Sequence, residues 1–252
     1  MKLKSEKDLE FLRQSGQILG SILQILKEAA KEGVTLLHLD ELANRLVEEA
    51  GAKPAFLGYK PEKGGKLYPA SICASVDEII VHGLPTGYAL RKGDVLKIDF
   101  GVNYKGYITD SALTVGIGEI SDEARRLITA TEKSLDEAIK VMKPGGHLGD
   151  IGAAVEGVIN KAGFKVIRNL TGHGVGFALH EDPSVYNFGN VGEGLELEPG
   201  MVLAIEPMVA VSAGRVVLQK DGSFKTEDGS LGAHFEHTIA ITGEGAEVLT
   251  RV

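Results

Sequence analysis

The chain of 252 residues contains only one cysteine, Cys73, so no disulfide can form within it. A single thiol fits a reducing compartment. The polar start, MKLKS, is not typical of a secretory signal peptide, and no apolar run reaches the roughly 18 residues that a membrane span needs. We therefore expect a cytoplasmic protein that does not contact a membrane.

Positive charge is also scarce, since 27 lysines and arginines stand against 35 aspartates and glutamates and give a formal net charge of −8. This balance argues against a broad DNA-binding surface. No Pro/Ser-rich linker divides the chain, while 43% of its residues are hydrophobic and can form a substantial core. The sequence therefore predicts one compact domain over residues 1–252.

Apolar residues at helical spacing predict two pairs of helices. The predicted helices cover residues 5–31, 39–50, 121–141 and 147–162. Stretches rich in strand-forming residues follow each pair, and those of the first half cover residues 71–76, 78–82 and 95–115. The order helix, helix, strands thus occurs twice, which suggests an internal duplication and predicts an α+β fold.

Two aspartates, Asp99 and Asp110, lie in the strands of a predicted hairpin with a turn at residues 103–106. A turn centred between Tyr104 and Lys105 would place the two aspartates directly opposite each other. Like charges opposite each other are destabilising and Asp is rare in strands, so a bound cation is the natural compensation. The alternative is a solvent-exposed pair on a sheet edge, because a slip of one residue would reverse the faces.

Two glutamates stand in similar apolar strand contexts, Glu206 in VLAIEP and Glu236 in FEHTI. Burial of an unpaired carboxylate is costly, and four such charges would be neutralised by two divalent cations. His173 lies in TGHGVG, where the glycines let the backbone approach closely, and it could add a nitrogen ligand. This donor set suits Mn, Fe, Co or Zn rather than a thiolate site. His173 could also be a plain loop residue.

Four of the other histidines differ in their expected positions. His82 ends a predicted strand and His180 ends a short apolar segment, so either imidazole could point into a cleft and act on a substrate. His237 falls on the apolar side of its strand and is predicted to be a core histidine. His234 shares the face of Glu236, and its role stays open.

Five segments, taken together, resemble the type I methionine aminopeptidases, whose superfamily includes Xaa-Pro peptidases and creatinases. They are ICASVDEIIVHGLP (72–85), VLKIDFGVNYKGYITDS (95–111), TGHGVGFALHEDP (171–183), PGMVLAIEP (199–207) and FEHTIAIT (235–242). The resemblance spans nearly the whole chain. It implies the pita-bread fold, in which two pseudo-symmetric αβ halves surround a central dimetal site, and a single catalytic domain over residues 1–252.

The resemblance also implies an activity, the removal of the initiator methionine from nascent proteins and peptides by a metal-bridging hydroxide. The implied metal ligands are Asp99, Asp110, His173, Glu206 and Glu236, with Asp110 and Glu236 bridging two divalent ions. The implied catalytic groups are His82 at the scissile amide, His180 at the developing oxyanion and Glu206 as a proton shuttle. The implied methionine pocket is lined by Phe56, Tyr59, Tyr68 and Cys73. The implied enzyme is a monomer, with the ribosome as a candidate partner.

Two alternatives remain compatible with this fold. An Xaa-Pro peptidase would usually carry a further N-terminal domain and an aspartate after the last glutamate, where this chain has His237. A non-enzymatic binding protein on the same fold would have lost metal ligands, whereas all five candidates are present here.

The chain also departs from the usual family pattern at three places. Leu179 replaces a common aromatic residue, and His234 replaces a common glutamine. The segment Lys60–Leu67 is longer than usual, and we expect it at the mouth of the methionine pocket, either as a mobile flap or as an inert surface loop.

Overall fold

The structure, a computed structural model, describes residues 3–60 and 67–251. Within these ranges it contains four helices, α1 (Glu6–Ala29), α2 (Leu36–Glu49), α3 (Asp122–Val141) and α4 (Leu148–Ala162). None of the described helices has both the length and the apolar character that crossing a membrane would require.

Short strands follow each pair of helices. The first half contains β1 (Lys53–Pro54), β2 (Ile72–Val76), β3 (Ile79–Val81), β4 (Val95–Tyr104) and β5 (Tyr107–Gly116). The second half contains β6 (Lys165–Val166), β7 (Gly172–Gly174), β8 (Glu181–Val185), β9 (Val202–Ile205), β10 (Met208–Ala210), β11 (Val216–Leu218), β12 (Phe224–Thr226), β13 (Gly232–His234), β14 (His237–Thr242) and β15 (Gly245–Val248). The predicted repeat of helix, helix and strands is therefore confirmed.

The helix starts follow from side-chain capping of backbone N–H groups that have no partner within the helix. At α1, Ser5 accepts the N–H of Asp8 and the Asp8 carboxylate accepts the N–H of Ser5, which is a capping box. At α2, the side chain of Thr35 accepts the N–H of His38. This cap starts α2 three residues before the predicted start, because the prediction followed apolar spacing and did not include the cap.

The β4–β5 hairpin has a different register from the predicted one. Asp99 pairs with Ala112 rather than with Asp110, so the two carboxylates are diagonal neighbours. The cause is the turn, in which Lys105 and Gly106 have φ values of 53° and 89° and occupy the two central positions. Because the correction moves the pairing by two residues, both aspartates still project from the same face of the sheet.

The two halves meet along β5. In the first sheet, β4 pairs with β5 on one edge and with β2 and β1 on the other. The second half contributes a five-stranded sheet in the order β15–β14–β9–β7–β8. A backbone bridge between Ala112 on β5 and Glu236, next to β14, joins the two sheets. The remaining strands form two three-stranded sheets, β13–β10–β6 and β11–β12–β3.

The main hydrophobic core lies on the opposite face of β4 from Asp99. Leu96, Ile98 and Phe100 are fully buried there, as their alternation predicts, and they belong to the same apolar cluster as Leu19 and Leu39 of the first two helices. The other face of β4 is thereby left for polar groups at the junction of the two halves.

Candidate metal centre

Five side chains that the resemblance implies as metal ligands converge where the two halves meet. Asp99 lies on β4, Asp110 on β5 and His173 on β7, while Glu206 follows β9 and Glu236 precedes β14. All four carboxylate residues are buried. Residues that are far apart in the sequence therefore come together at one place.

The position of His173 depends on the glycines on both sides of it. A Cβ atom at Gly172 would overlap the carbonyl oxygen of Ala204, and one at Gly174 would overlap the carbonyl oxygen of Asp182. Only glycine fits at these two positions without displacing a neighbouring strand. The close backbone approach expected from TGHGVG is confirmed.

His173 presents a lone pair to the carboxylates. Its Nδ1 lies 2.9 Å from the carbonyl oxygen of Gly174, so Nδ1 carries the hydrogen and Nε2 is free to accept. Nε2 lies 3.5 Å from Oε1 of Glu206 and 4.0 Å from Oδ2 of Asp110. Three possible ligand atoms lie within 4.8 Å of one another, one each from Asp110, His173 and Glu236. This spacing allows the three residues to hold one ion.

The carboxylates are close together and lack a basic partner. Among the described residues, none of them forms an ion pair with a lysine or arginine. Burial raises the pKa of Asp99, Glu206 and Glu236 well above the usual value, and the neighbouring carboxylates raise it further. Burial also raises the pKa of Asp110 to about 7, although a hydrogen bond from the N–H of Ser111 acts to lower it. The site therefore favours added positive charge.

Several polar atoms of this cluster have no hydrogen-bond partner. Among the described residues, these buried atoms are Oδ1 of Asp99, Oε1 of Glu236 and both ring nitrogens of His234. Buried polar atoms in folded proteins nearly always have a partner. Oxygen and nitrogen atoms that lack a partner within such a cluster fit a group of divalent metal ligands.

His234, whose role the sequence left open, belongs to this cluster. Its Nε2 lies 3.5 Å from Oε2 of Glu206 and 3.9 Å from Oε2 of Glu236. The sequence signal was that His234 and Glu236 share one strand face. His237 instead contacts Thr250, with 2.8 Å between Nδ1 and Oγ1, and it is half-buried rather than fully in the core as the alternation predicts.

His82 and His180 lie beside the carboxylate cluster. The ring centroid of His180 is 4.4 Å from that of His173, and His82 directly follows β3 with a φ of 59°. The pKa of both is lowered, chiefly because the surrounding protein desolvates the charged rings, although both keep exposed surface. Repulsion from His180 lowers the pKa of His82 further. Desolvation therefore favours the neutral form of both imidazoles.

The four expected pocket residues lie together in one small apolar cluster. Phe56 and Cys73 are buried in it with Leu179, and Tyr59 and Tyr68 pack against them. The rings of Phe56 and Tyr68 meet edge to face at 6.3 Å. The leucine that replaces a common aromatic therefore contributes to the same cluster.

The apolar cluster borders the carboxylates. Cys73 on β2 is the direct partner of Asp99 on β4. At the other side, Oη of Tyr59 lies 2.6 Å from Nδ1 of His180. Of the Lys60–Leu67 segment, residues 61–66 lie outside the described ranges. Tyr59 and Tyr68, on either side of it, are joined by a 2.8 Å backbone hydrogen bond.

Comparison with known proteins agrees with this arrangement. The family model for metallopeptidase family M24 matches residues 10–243. A methionine aminopeptidase of Aquifex aeolicus is 44% identical over 256 aligned residues, which cover 100% of this chain and 99% of that protein.

Solved structures show the same fold. A methionine aminopeptidase from Thermotoga maritima matches with a TM-score of 0.95 and 39% identity, and the match covers 100% of both chains. A prolidase from Pyrococcus furiosus shares the fold with a TM-score of 0.80 at 22% identity, and the match covers 99% of this chain and 65% of the prolidase. The predicted pita-bread fold is confirmed.

Proposed function

This chain belongs to metallopeptidase family M24, and from that premise we propose that it removes the N-terminal methionine from proteins and peptides. The observation that carries the proposal is the contact between a buried carboxylate cluster and an apolar cluster, which meet where Cys73 pairs with Asp99. The full-length similarity to methionine aminopeptidases supports this substrate over an Xaa-Pro peptide.

The metal ions would be held by the five converging side chains. These are Asp99, Asp110, His173, Glu206 and Glu236. Four carboxylates balance the charge of two divalent ions, so we propose a dinuclear site that takes Mn, Fe, Co or Zn. When bound, such ions supply a Lewis acid and an activated water.

Three side chains would act on the substrate. His180, whose Nδ1 contacts the hydroxyl of Tyr59, would donate a hydrogen bond from Nε2 to the oxygen of the scissile carbonyl. His82 would contact the scissile amide. Glu206 would carry a proton on a carboxylate oxygen to the leaving amine.

The apolar cluster would select the side chain of the first residue. Aromatic edges and a sulfur atom make favourable contacts with a thioether, and Phe56, Tyr68 and Cys73 supply both. An unbranched chain would enter this space next to Asp99. The free α-amine of the substrate would be a further ligand for the bound ions, which would limit cleavage to the first residue.

A panel of peptides tests this proposal. The metal-loaded protein should release methionine from Met-Ala-Ser, should leave N-acetylated Met-Ala-Ser intact and should cleave Ala-Pro-Ser at least about 100-fold more slowly, a ratio that pocket contacts can supply. Preferred cleavage of Ala-Pro-Ser would favour the Xaa-Pro peptidase alternative. Binding of Met-Ala-Ser without any turnover would favour the binding-protein alternative.

Some expectations stay predictions of the sequence. They are the single-domain organisation, the cytoplasmic location, the monomeric state and the contact with the ribosome.

A further inference from the structure

His234 presents one ring nitrogen, Nε2, to the carboxylate cluster. The residue is 1% exposed, and neither ring nitrogen has a hydrogen-bond partner among the described residues. Nε2 faces one oxygen of Glu206 at 3.5 Å and one oxygen of Glu236 at 3.9 Å. These separations are too long for hydrogen bonds, which lie at about 2.7–3.2 Å. They leave room for an ion among the three residues.

The backbone holds His234 in this position. Oγ1 of Thr114 accepts the N–H of His234 at 2.9 Å and donates to its carbonyl oxygen at 2.6 Å. His234 also pairs with Met208 between β13 and β10. With the backbone tied on both sides, the imidazole cannot move far from the carboxylates. A buried imidazole without a partner is costly, so a bound group is needed to offset its burial.

The cluster divides into two groups of possible ligands that share Glu236. One group is Asp110, His173 and Glu236, and the other is Glu206, His234 and Glu236, with the donor atoms of each group within 4.8 Å of one another. Each group therefore has one imidazole and two carboxylates. Two groups of ligands that share one carboxylate would suit a pair of neighbouring ions about 3.5–4 Å apart.

We infer that His234 is itself a metal ligand, so that the centre has two imidazole donors. This inference rests on the proposed dinuclear site, and it adds a ligand at the position where the family commonly has a glutamine. A second nitrogen donor favours cobalt and zinc over manganese, because imidazole suits these later metals while carboxylate oxygen suits manganese.

Proton NMR of the cobalt-loaded wild-type protein counts the imidazole ligands directly. Each ligating histidine keeps one ring N–H, which paramagnetic cobalt shifts far outside the normal range and which disappears in D₂O. We expect two such signals, from His173 and His234, and loss of one in His234→Gln. A single signal in the wild-type protein would overturn the inference.

Metal affinity gives a second test, with His38→Gln as the matched control because His38 is exposed on α2, away from the cluster. His234→Gln should weaken cobalt and zinc binding by about 10-fold or more, with a smaller effect on manganese. Thermal melting of the metal-free proteins verifies that the variant folds. Equal cobalt affinity in His234→Gln and wild type would remove His234 from the ligand set while leaving the proposed function intact. Failure of the wild-type protein to bind metal would overturn both.

Discussion

The Nζ atom of Lys4 lies 2.6 Å from Oε2 of Glu181, the residue that directly follows His180. The other carboxylate oxygen of Glu181 accepts the N–H groups of Phe177 and Ala178. The segment before α1 therefore fixes the loop that carries His180, although Lys4 is far from this loop in the sequence.

Removing this contact should affect both stability and activity. The Lys4 side chain has no exposed surface, so Lys4→Met would leave the Glu181 charge largely buried without its cation, at a cost of about 3 kcal/mol in the free energy of unfolding. We expect kcat to fall because the loop with His180 loosens. Urea denaturation and steady-state kinetics measure the two effects, and Lys7→Met at an exposed position is the control. Wild-type values for Lys4→Met in both measurements would show that the contact has no role.

Tyr59 should orient His180 for catalysis. In Tyr59→Phe the hydroxyl 2.6 Å from Nδ1 of His180 is lost, so the ring is no longer held in one orientation and tautomer. We expect kcat to fall by about 10-fold with a small change in KM, as for other groups that orient a catalytic residue. Tyr186→Phe, at an exposed position, should behave as wild type. A rise in KM alone would instead limit Tyr59 to the pocket wall.

The signals that allowed prediction from sequence were mostly local. Ser5 and Gly163 mark helix ends by their capping chemistry, and the structure has the cap and the left-handed φ that these residues favour. The hairpin register was wrong because Lys105 adopts a positive φ, which is uncommon for a non-glycine residue and is not visible in composition.

The acidic residues of the candidate site were predictable from the sequence, but the inclusion of His234 was not. Asp99 and Glu236 stand out because carboxylates are unusual in apolar strands. The contact of His234 with Glu206 depends on how β9, β10 and β13 pack, so strand alternation alone could not reveal it. Periodicity describes one strand at a time, whereas this contact joins segments from different sheets.

His82 and His180 should contribute to catalysis and not to metal binding. His82→Ala and His180→Ala should each lower kcat strongly while the protein retains its full metal content, because both rings would act on the transition state. Calorimetric titration with cobalt measures the stoichiometry alongside the kinetics. Lost stoichiometry in either variant would make that histidine a ligand.

The Asp110 carboxylate should destabilise the metal-free protein as pH rises, whereas the metal-loaded protein should need it for turnover. Its pKa in the folded protein is raised to about 7 from 3.8, so the folded state binds more protons than the unfolded state between these values. Its contribution should therefore make the metal-free protein less stable as pH rises from about 4 to 7. Asp110→Asn should remove this contribution and nearly abolish turnover. A steeper loss of stability with pH in the variant, measured by urea denaturation, would contradict the buried-charge account.

Metal titration of methionine release tests the central claim most directly. Protein freed of metal, with its metal content verified by mass spectrometry, is mixed with Met-Ala-Ser, and cobalt or manganese is added in steps. The account predicts no release before addition, release that rises until the site is filled, and loss of turnover when a chelator is added. Full-rate methionine release by the verified metal-free protein would contradict it.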